Sequence, residues 1–404
     1  MLVGMIMIGQ VTGTYSLAGL LAGKLPFREH GNWLTAALVF MLAGAFGKSA
    51  QFPLHFWLPT AMSAPTPVSA YLHSATMVKL GVFLSARLFP LAVGTDWWEP
   101  LLGWVGFTTM WLAAVLALLS HELKAILAFS TVSQLGFLIG YYGLGPAGGV
   151  EYDYLHILNH VFYKGCLFMV AGVIMHATGQ KDIRHIGGLF RRLPLLGCIT
   201  LVAAATMAGL PGTTGFLSKE GMFKEIFARL GDSGWLGGYA AVSVVAMSLI
   251  KVAFSARLFA DIFLGREPAD LRKHFHAPPL PMLIPPLVLA LAALGFGLWP
   301  ALLDQPFQGL AVPGGNQPPA HLTLWHGFNL EFITSVMVVL LGFGLYQLGR
   351  VTQWRWHRIP AALRFDWHFE RALEQFSRFA KTLTRWLRSD QPIDYLPIII
   401  TFLL

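Results

Sequence analysis

Apolar stretches long enough to cross a bilayer recur along the whole chain and leave few alternatives for its fold. They fall near 2–23, 33–56, 67–90, 100–119, 125–144, 153–177, 194–230, 236–264, 279–302 and 326–349, with a last one opening at 392. A hydrocarbon core of about 30 Å takes about 20 helical residues at about 1.5 Å each. In lipid every backbone N–H and C=O must be satisfied internally, which leaves helices or a closed barrel. The runs are too long and too evenly apolar for alternating strands, so an all-α polytopic protein of the cell membrane is expected. Composition agrees, with 55% hydrophobic and 12% charged residues. The net charge of +8 does not call for nucleic acid. The basic residues sit in loops and one C-terminal segment, where they set orientation and meet anionic lipid headgroups. Cys166 and Cys198 lie in apolar segments and define neither a disulfide framework nor a metal site.

Against this background the stretch 47–79, GKSAQFPLHFWLPTAMSAPTPVSAYLHSATMVK, stands out. Lys48 appears inside an otherwise apolar span, and Pro53 predicts a kink or break there. A second apolar helix then carries His73 and Lys79. A basic residue at mid-membrane costs about 2.5–3.5 kcal/mol on insertion scales, so intramembrane charges default to function. The stretch 194–230 is too long for one plain crossing and holds Pro211, Gly212 and Gly215, which predicts a second broken helix. Paired interruptions suggest a transport path between two inverted repeats, the first of them incomplete.

Loop charge sets the topology. Lys181, Arg184, Arg191 and Arg192, then Arg266, Arg272 and Lys273, then the arginine-rich stretch 350–390 fall on one side if the spans alternate. That side is cytoplasmic by the positive-inside rule. The opposite loops, near Asp96 and Glu99, near Glu151 and Asp153, and over 303–324, are acidic or lack Lys and Arg. The expected organisation is a translocating core over 1–264, further spans over 265–349, a lateral helix over 350–390, and the start of another span over 391–404. In the lateral segment Phe365, Phe369, Leu373, Phe376, Leu383 and Leu387 recur at helical spacing, with Arg364, Arg371, Arg378, Lys381, Arg385 and Arg388 on other faces. Such a helix lies along a lipid surface or against partner helices.

His156, His160 and Lys164 follow one another at four-residue intervals and share one helical face. An interhelical hydrogen-bond site, a zinc site and a proton relay all fit this spacing. No third zinc ligand is near, and Lys164 would repel a cation. Lys124 opens an apolar helix, either as a snorkelling interfacial lysine or as part of a charge path. Lys219 and Glu220 form an adjacent pair beyond the second break, either structural or charge-moving. Joined together, Lys48, His73, Lys79, Lys124, His156, His160, Lys164 and Lys219 would make a polar file for protons, since histidine titrates near neutral pH. A G-x-G-x-x-G match at 143–148 contains Pro146 and follows an apolar helix, not a strand, so it is no dinucleotide site. The sequence has no Walker A motif, iron–sulfur pattern or flavin fingerprint, so no cofactor is expected.

GKSAQFPLHFWLPTAMSAPTPVSAYLHSATMV closely resembles the signature of the antiporter-like subunits of respiratory complex I and of Mrp cation/proton antiporters. LKAILAFSTVSQLGF, HILNHVFYKGCLFMVAG and GFLSKE match further motifs of that family in order, so the resemblance covers most of 33–264. It implies two inverted five-helix repeats. It makes Lys48 the central lysine of a first half-channel, with His73 on the next helix. Lys124, His156, His160 and Lys164 become a linking axis, and Lys219 the terminal lysine of a second half-channel, adjoined by Glu220. Lys79 and the LWHGFN stretch at 324–329 are similar to the A-type branch of Mrp antiporter subunits. The resemblance implies other membrane subunits as partners and Na⁺ and protons as cargo. The helices that precede residue 1 in the family, including one with a glutamate paired to the Lys48 position, are absent, which implies a fragment or a partner chain supplying them. The alternatives are a proton-pumping subunit of complex I or of a membrane-bound hydrogenase, and a non-conducting scaffold.

Overall fold

The computed structural model describes residues 1–22, 27–74, 76–92, 95–144, 151–231, 234–269, 271, 275–308, 322–325, 327–352, and 371, 374, 375, 377–379, 381 and 382. The helices are α1 (Leu2–Thr12), α2 (Leu17–Ala22), α3 (Phe27–Lys48), α4 (Trp57–Thr60), α5 (Thr66–Ser74), α6 (Lys79–Ala92), α7 (Trp98–Leu119) and α8 (Leu123–Tyr142). They continue as α9 (Glu151–Thr178), α10 (Pro194–Ala208), α11 (Thr214–Ala228), α12 (Gly234–Phe263), α13 (Ile284–Leu298), α14 (Ala301–Gln308) and α15 (Leu330–Thr352). No strand occurs among the described residues, and seven helical stretches are long and apolar enough to cross a membrane. The chain divides into two compact units, 1–353 and 354–404. In the second, the described helical positions include an Arg378–Glu374 pair at 3.7 Å. The expected lateral ridge residues Phe365, Phe369, Leu373, Phe376, Leu383 and Leu387 lie outside the described residues, as does the segment from 391.

Both expected interruptions exist, and both helices end in the same way. Near the first, the Gln51 N–H donates to Phe46 O at 2.9 Å and the Ala50 N–H to Gly47 O at 3.4 Å. At the second, the Leu210 N–H donates to Ala205 O at 3.0 Å and the Gly209 N–H to Thr206 O at 3.1 Å. These are Schellman caps, each with a left-handed residue, Ala50 at φ 51° and Gly209 at φ 74°. The first helix therefore stops at Lys48, ahead of Pro53 where the sequence places the kink. Its freed polar groups find protein partners. Trp57 Nε1 donates to Gly47 O at 2.9 Å and the Phe52 N–H to Thr109 Oγ1 at 2.9 Å.

Two spans expected to be continuous are divided. Gly13, at φ 67°, separates α1 from α2 within the 2–23 stretch. The 67–90 stretch is also interrupted, with α5 ending at Ser74 and α6 opening at Lys79. The Lys79 ammonium donates to the Ser74 carbonyl, satisfying an acceptor that the interruption releases.

The charged side is assembled as the loops require. Arg192 pairs with Glu267 at 2.6 Å, so the loops after α9 and α12 meet. Tyr346 Oη donates to Asp261 Oδ1 at 2.8 Å, bringing the end of α15 to the end of α12. In the loop after α9, burial pushes the Asp182 carboxyl up, but hydrogen bonds and charge from Arg184 outweigh it and hold its pKa below the usual range. Asp153 departs from expectation. It is a buried member of the first turn of α9, not a loop acid, and accepts from Tyr142 Oη at 2.6 Å.

At the centre, α8 is buried along nearly its whole length. Lipid tails are as apolar as leucine, so helices associate in a membrane through close packing and polar bonds, not apolar burial. Accordingly α7 and α8 meet backbone to backbone. A Cβ on Gly136 would lie 2.7 Å from both Gly106 O and Met110 N. The outer helices α13 and α15 expose rows of large apolar side chains, among them Val288, Leu291, Met337 and Leu340, as lipid-facing or partner-facing surfaces do.

Candidate functional site

The groups at issue are gathered where α9 crosses the central α8. On α9, His156, Asn159, His160, Tyr163 and Lys164 are all buried, as the four-residue spacing predicts for an inward face. His156 is held at both ring nitrogens. Nε2 lies 2.9 Å from Gln134 Oε1 on α8, and Nδ1 lies 2.8 Å from Ser218 Oγ on α11. The amide oxygen can only accept, so Nε2 donates to it, whereas the Ser218 hydroxyl can donate to Nδ1 or accept from it. His156 thus bridges α8 to α11 with both ring nitrogens engaged. His160 packs edge-on against Tyr163 at 5.3 Å, and neither of its ring nitrogens has a hydrogen-bond partner among the described residues. Lys164 donates to Leu127 O at 3.2 Å and to the Ser130 hydroxyl, both of them neutral acceptors on α8.

Two groups reach this axis from the first interruption. His73 closes α5, is fully buried, and stacks on Phe168 of α9 at 4.8 Å with both nitrogens unpaired among the described residues. Lys79 donates to Ile157 O of α9 at 3.2 Å as well as to Ser74 O. Lys48 is the outlier. It is only half-buried at the end of α3, and among the described residues no hydrogen bond joins it to the axis. Its helix nevertheless abuts that of Lys79, since a Cβ on Gly81 would lie 2.9 Å from the Ala45 carbonyl carbon. Lys124 is buried, not snorkelling. Its ammonium donates to Ala64 O at 2.7 Å and Met62 O at 3.3 Å, capping the turn after α4. A cation suits those carbonyls, which carry the negative end of the turn's peptide dipoles.

The second interruption delivers Lys219. Its ammonium is buried without a hydrogen-bond partner among the described residues, and the left-handed Gly209 lies beneath its side chain. A Cβ on Gly209 would stand 3.1 Å from Lys219 Nζ, so the residue that ends α10 also makes room for the lysine. Lys219 and Glu220, adjacent in sequence, face different spaces. Lys219 lines a cavity of about 20 Å³ together with Gln134, His156, Asn159, Ser218 and Lys251. Glu220 lines another of about 270 Å³ with Tyr152, Lys224, Asn329 and Glu331. The first has room for a single water, which needs about 10–15 Å³ by such a measure.

Several residues of this arrangement are not among those the sequence pattern selects. Gln134, Ser130 and Ser218 carry no charge and do not disturb an apolar pattern, so no sequence signal marks them. Lys251 is different. It is a lysine midway along the apolar α12, buried, and donates to Gln134 Oε1 at 3.4 Å. The criterion that selects Lys48, a basic residue inside an apolar span, selects it equally.

Comparison with known proteins gives a consistent result. The family described as "NADH:quinone oxidoreductase/Mrp antiporter, TM" matches residues 1–247. The chain is 43% identical over 355 residues to the A/B-type subunit of a probable K(+)/H(+) antiporter from Rhizobium meliloti (strain 1021), covering 87% of this chain and 35% of the relative. It is 34% identical to the A-type Na(+)/H(+) antiporter subunit of Alkalihalophilus pseudofirmus, covering 100% of this chain and 53% of the relative. The chain therefore spans about a third to a half of the length of these curated relatives. Among solved structures it is similar to a chain of the Mrp complex from Dietzia sp. DQ12-45-1b, with TM-score 0.84, 32% identity, and coverage of 100% of this chain and 44% of that one. A chain of the archaeal membrane-bound sulfane sulfur reductase shares the fold, with TM-score 0.77 and 22% identity over 73% of its length.

Proposed function

Because the chain belongs to the NADH:quinone oxidoreductase/Mrp antiporter transmembrane family, we propose that it is a membrane subunit of an Mrp-type monovalent cation/proton antiporter, carrying protons along its buried lysine and histidine file. One observation carries the reading. Lys79, His156, His160, Lys164 and Lys219 are buried at the α8–α9 crossing, bonded to neutral carbonyls, hydroxyls and an amide or, among the described residues, to nothing. A purely structural charge is normally neutralised by a counter-ion, whereas a carrier needs neutral neighbours so that it can gain and lose its proton at modest cost. His73 would feed the file from the first interruption, and Lys48 would stand at its entrance. Lys124, fixed to a capped turn at the charged end, would set the position of that turn. Glu220 and its cavity would give the second half an outlet, and the remaining subunits of the complex would complete the path. The names of the relatives favour antiport over the redox-driven branch of the same family, with K⁺ as the coupled ion in the R. meliloti name and Na⁺ in the A. pseudofirmus name.

The test is His156→Ala combined with His160→Ala in the complete complex. Cation-driven proton movement in everted vesicles should be lost while the subunits still co-purify. Normal exchange in the double variant would refute the relay, and stoichiometric zinc lost on substitution would show a metal site instead.

A further inference from the structure

We propose that Lys251 is a second carrier in the relay, exchanging its proton with Lys219 across the small cavity that both residues line, so that the two ammonium groups are charged in alternation. This rests on the relay reading above. Lys251 enters the site from α12, a helix that contributes none of the other carriers. It is buried, donates to Gln134 Oε1 at 3.4 Å, and sits 6.0 Å over the Tyr163 ring. The same ring receives Lys164 at 5.6 Å, so both lysines lie against Tyr163. Lys219 faces the cavity with no hydrogen-bond partner among the described residues, although its ammonium has three donors. A buried donor left bare needs an acceptor, and the cavity is the right size for one water.

Among the described residues no carboxylate lines this cavity. The titratable groups facing Lys251 are His156, His160, Tyr163 and Lys164 on α9 and Lys219 on α11, whereas α8 presents the neutral Gln134. Glu220 on α11 and Glu331 on α15 line the other cavity. Two like charges at a low-dielectric cavity repel, so the doubly charged state is disfavoured and the two sites titrate as a pair. The transfer balances without any further reactant. One ammonium N–H bond breaks as the cavity water accepts the proton. A second O–H bond of that water breaks as the opposite amine accepts. Water is regenerated, and one positive charge has moved from one lysine to the other. Gln134, which accepts from both His156 and Lys251, is then the junction where the α9 file meets α12.

The experiment compares Lys251→Met, Lys251→Arg and Lys219→Met in vesicles containing the complete complex, reading exchange rate against pH. Lys251→Met should slow exchange roughly tenfold or more, a modest share of what a positioned proton carrier contributes. Its residual activity should move to higher pH by about one unit or more, because the neighbouring cation no longer repels the proton on Lys219. Lys251→Arg keeps the charge and a donor to Gln134 but cannot release a proton, and it should be as slow. A merely structural lysine would be rescued by arginine. Full exchange in Lys251→Arg, or a normal rate and unmoved pH profile in Lys251→Met, overturns the inference. If Lys251→Met does not assemble, the arginine variant decides alone. Retained exchange in Lys219→Met would instead overturn the parent relay reading, whereas its loss there with an intact Lys251→Met removes only this step.

Discussion

Gln134→Leu is the substitution that separates a relay from a structural polar cluster. Leucine nearly matches glutamine in volume, so the buried position stays filled and the change is chiefly the loss of one acceptor and one donor. The Oε1 atom accepts from His156 Nε2 at 2.9 Å and from Lys251 Nζ at 3.4 Å. Its removal leaves both donors without that acceptor. In a water-soluble core each buried orphan costs about 1–3 kcal/mol. In a membrane the reference state also lacks water, and interhelical hydrogen bonds average about 0.6 kcal/mol. The second figure applies here, because α8, α9 and α12 would remain helical in the bilayer when apart. The two contacts together should therefore cost about 1–2 kcal/mol, a small part of a typical stability of about 5–15 kcal/mol. The complex should assemble and melt a few degrees lower, while cation-driven proton movement in everted vesicles falls far more than stability does. Gln134→Glu checks the reasoning from the other side. It restores the acceptor, yet a carboxylate at the junction would hold a proton on Lys251 or His156, so exchange should fail in a complex of ordinary stability. Wild-type exchange in Gln134→Leu would refute the junction, and a collapsed complex would show that the contacts are mainly structural.

Two further outcomes are expected. Lys48→Ala should abolish exchange in the complete complex with assembly unchanged, and normal exchange in vesicles would remove Lys48 from the path. In the lateral segment, apolar burial of about 1.5–3 kcal/mol per large side chain outweighs about 1 kcal/mol per basic residue at a lipid surface, so a strap against partner helices is favoured over a lipid anchor. Phe369→Asp with Phe376→Asp should then release neighbouring subunits on purification, whereas Arg371→Gln with Arg378→Gln should not. The reverse pattern would make the segment a lipid anchor.

Much of this protein is decided by the sequence itself. Apolar length dictates helices because lipid offers the backbone no hydrogen bonds, and loop charge predicts which ends lie together, as the Arg192–Glu267 contact bears out. The break in 194–230 is legible through Pro211, Gly212 and Gly215, and the structure adds Gly209 as the left-handed residue that ends the helix. The face of His156, His160 and Lys164 is legible because one helical period fixes it. Tertiary structure decides the rest. The first interrupted helix stops at Lys48 and is capped through a left-handed Ala50, and nothing in alanine foretells that backbone. The 67–90 stretch divides, and Lys79 supplies a donor to the Ser74 carbonyl that the division releases, a contact invisible to hydropathy. Adjacent Lys219 and Glu220 serve separate cavities because neighbouring helical residues point about 100° apart. Gln134 and Ser218 become part of the site only when α8, α9 and α11 meet. A neutral polar side chain in a helix carries no sign of which donor it will face, since that depends on a partner distant in sequence and brought near by the packing of the whole bundle.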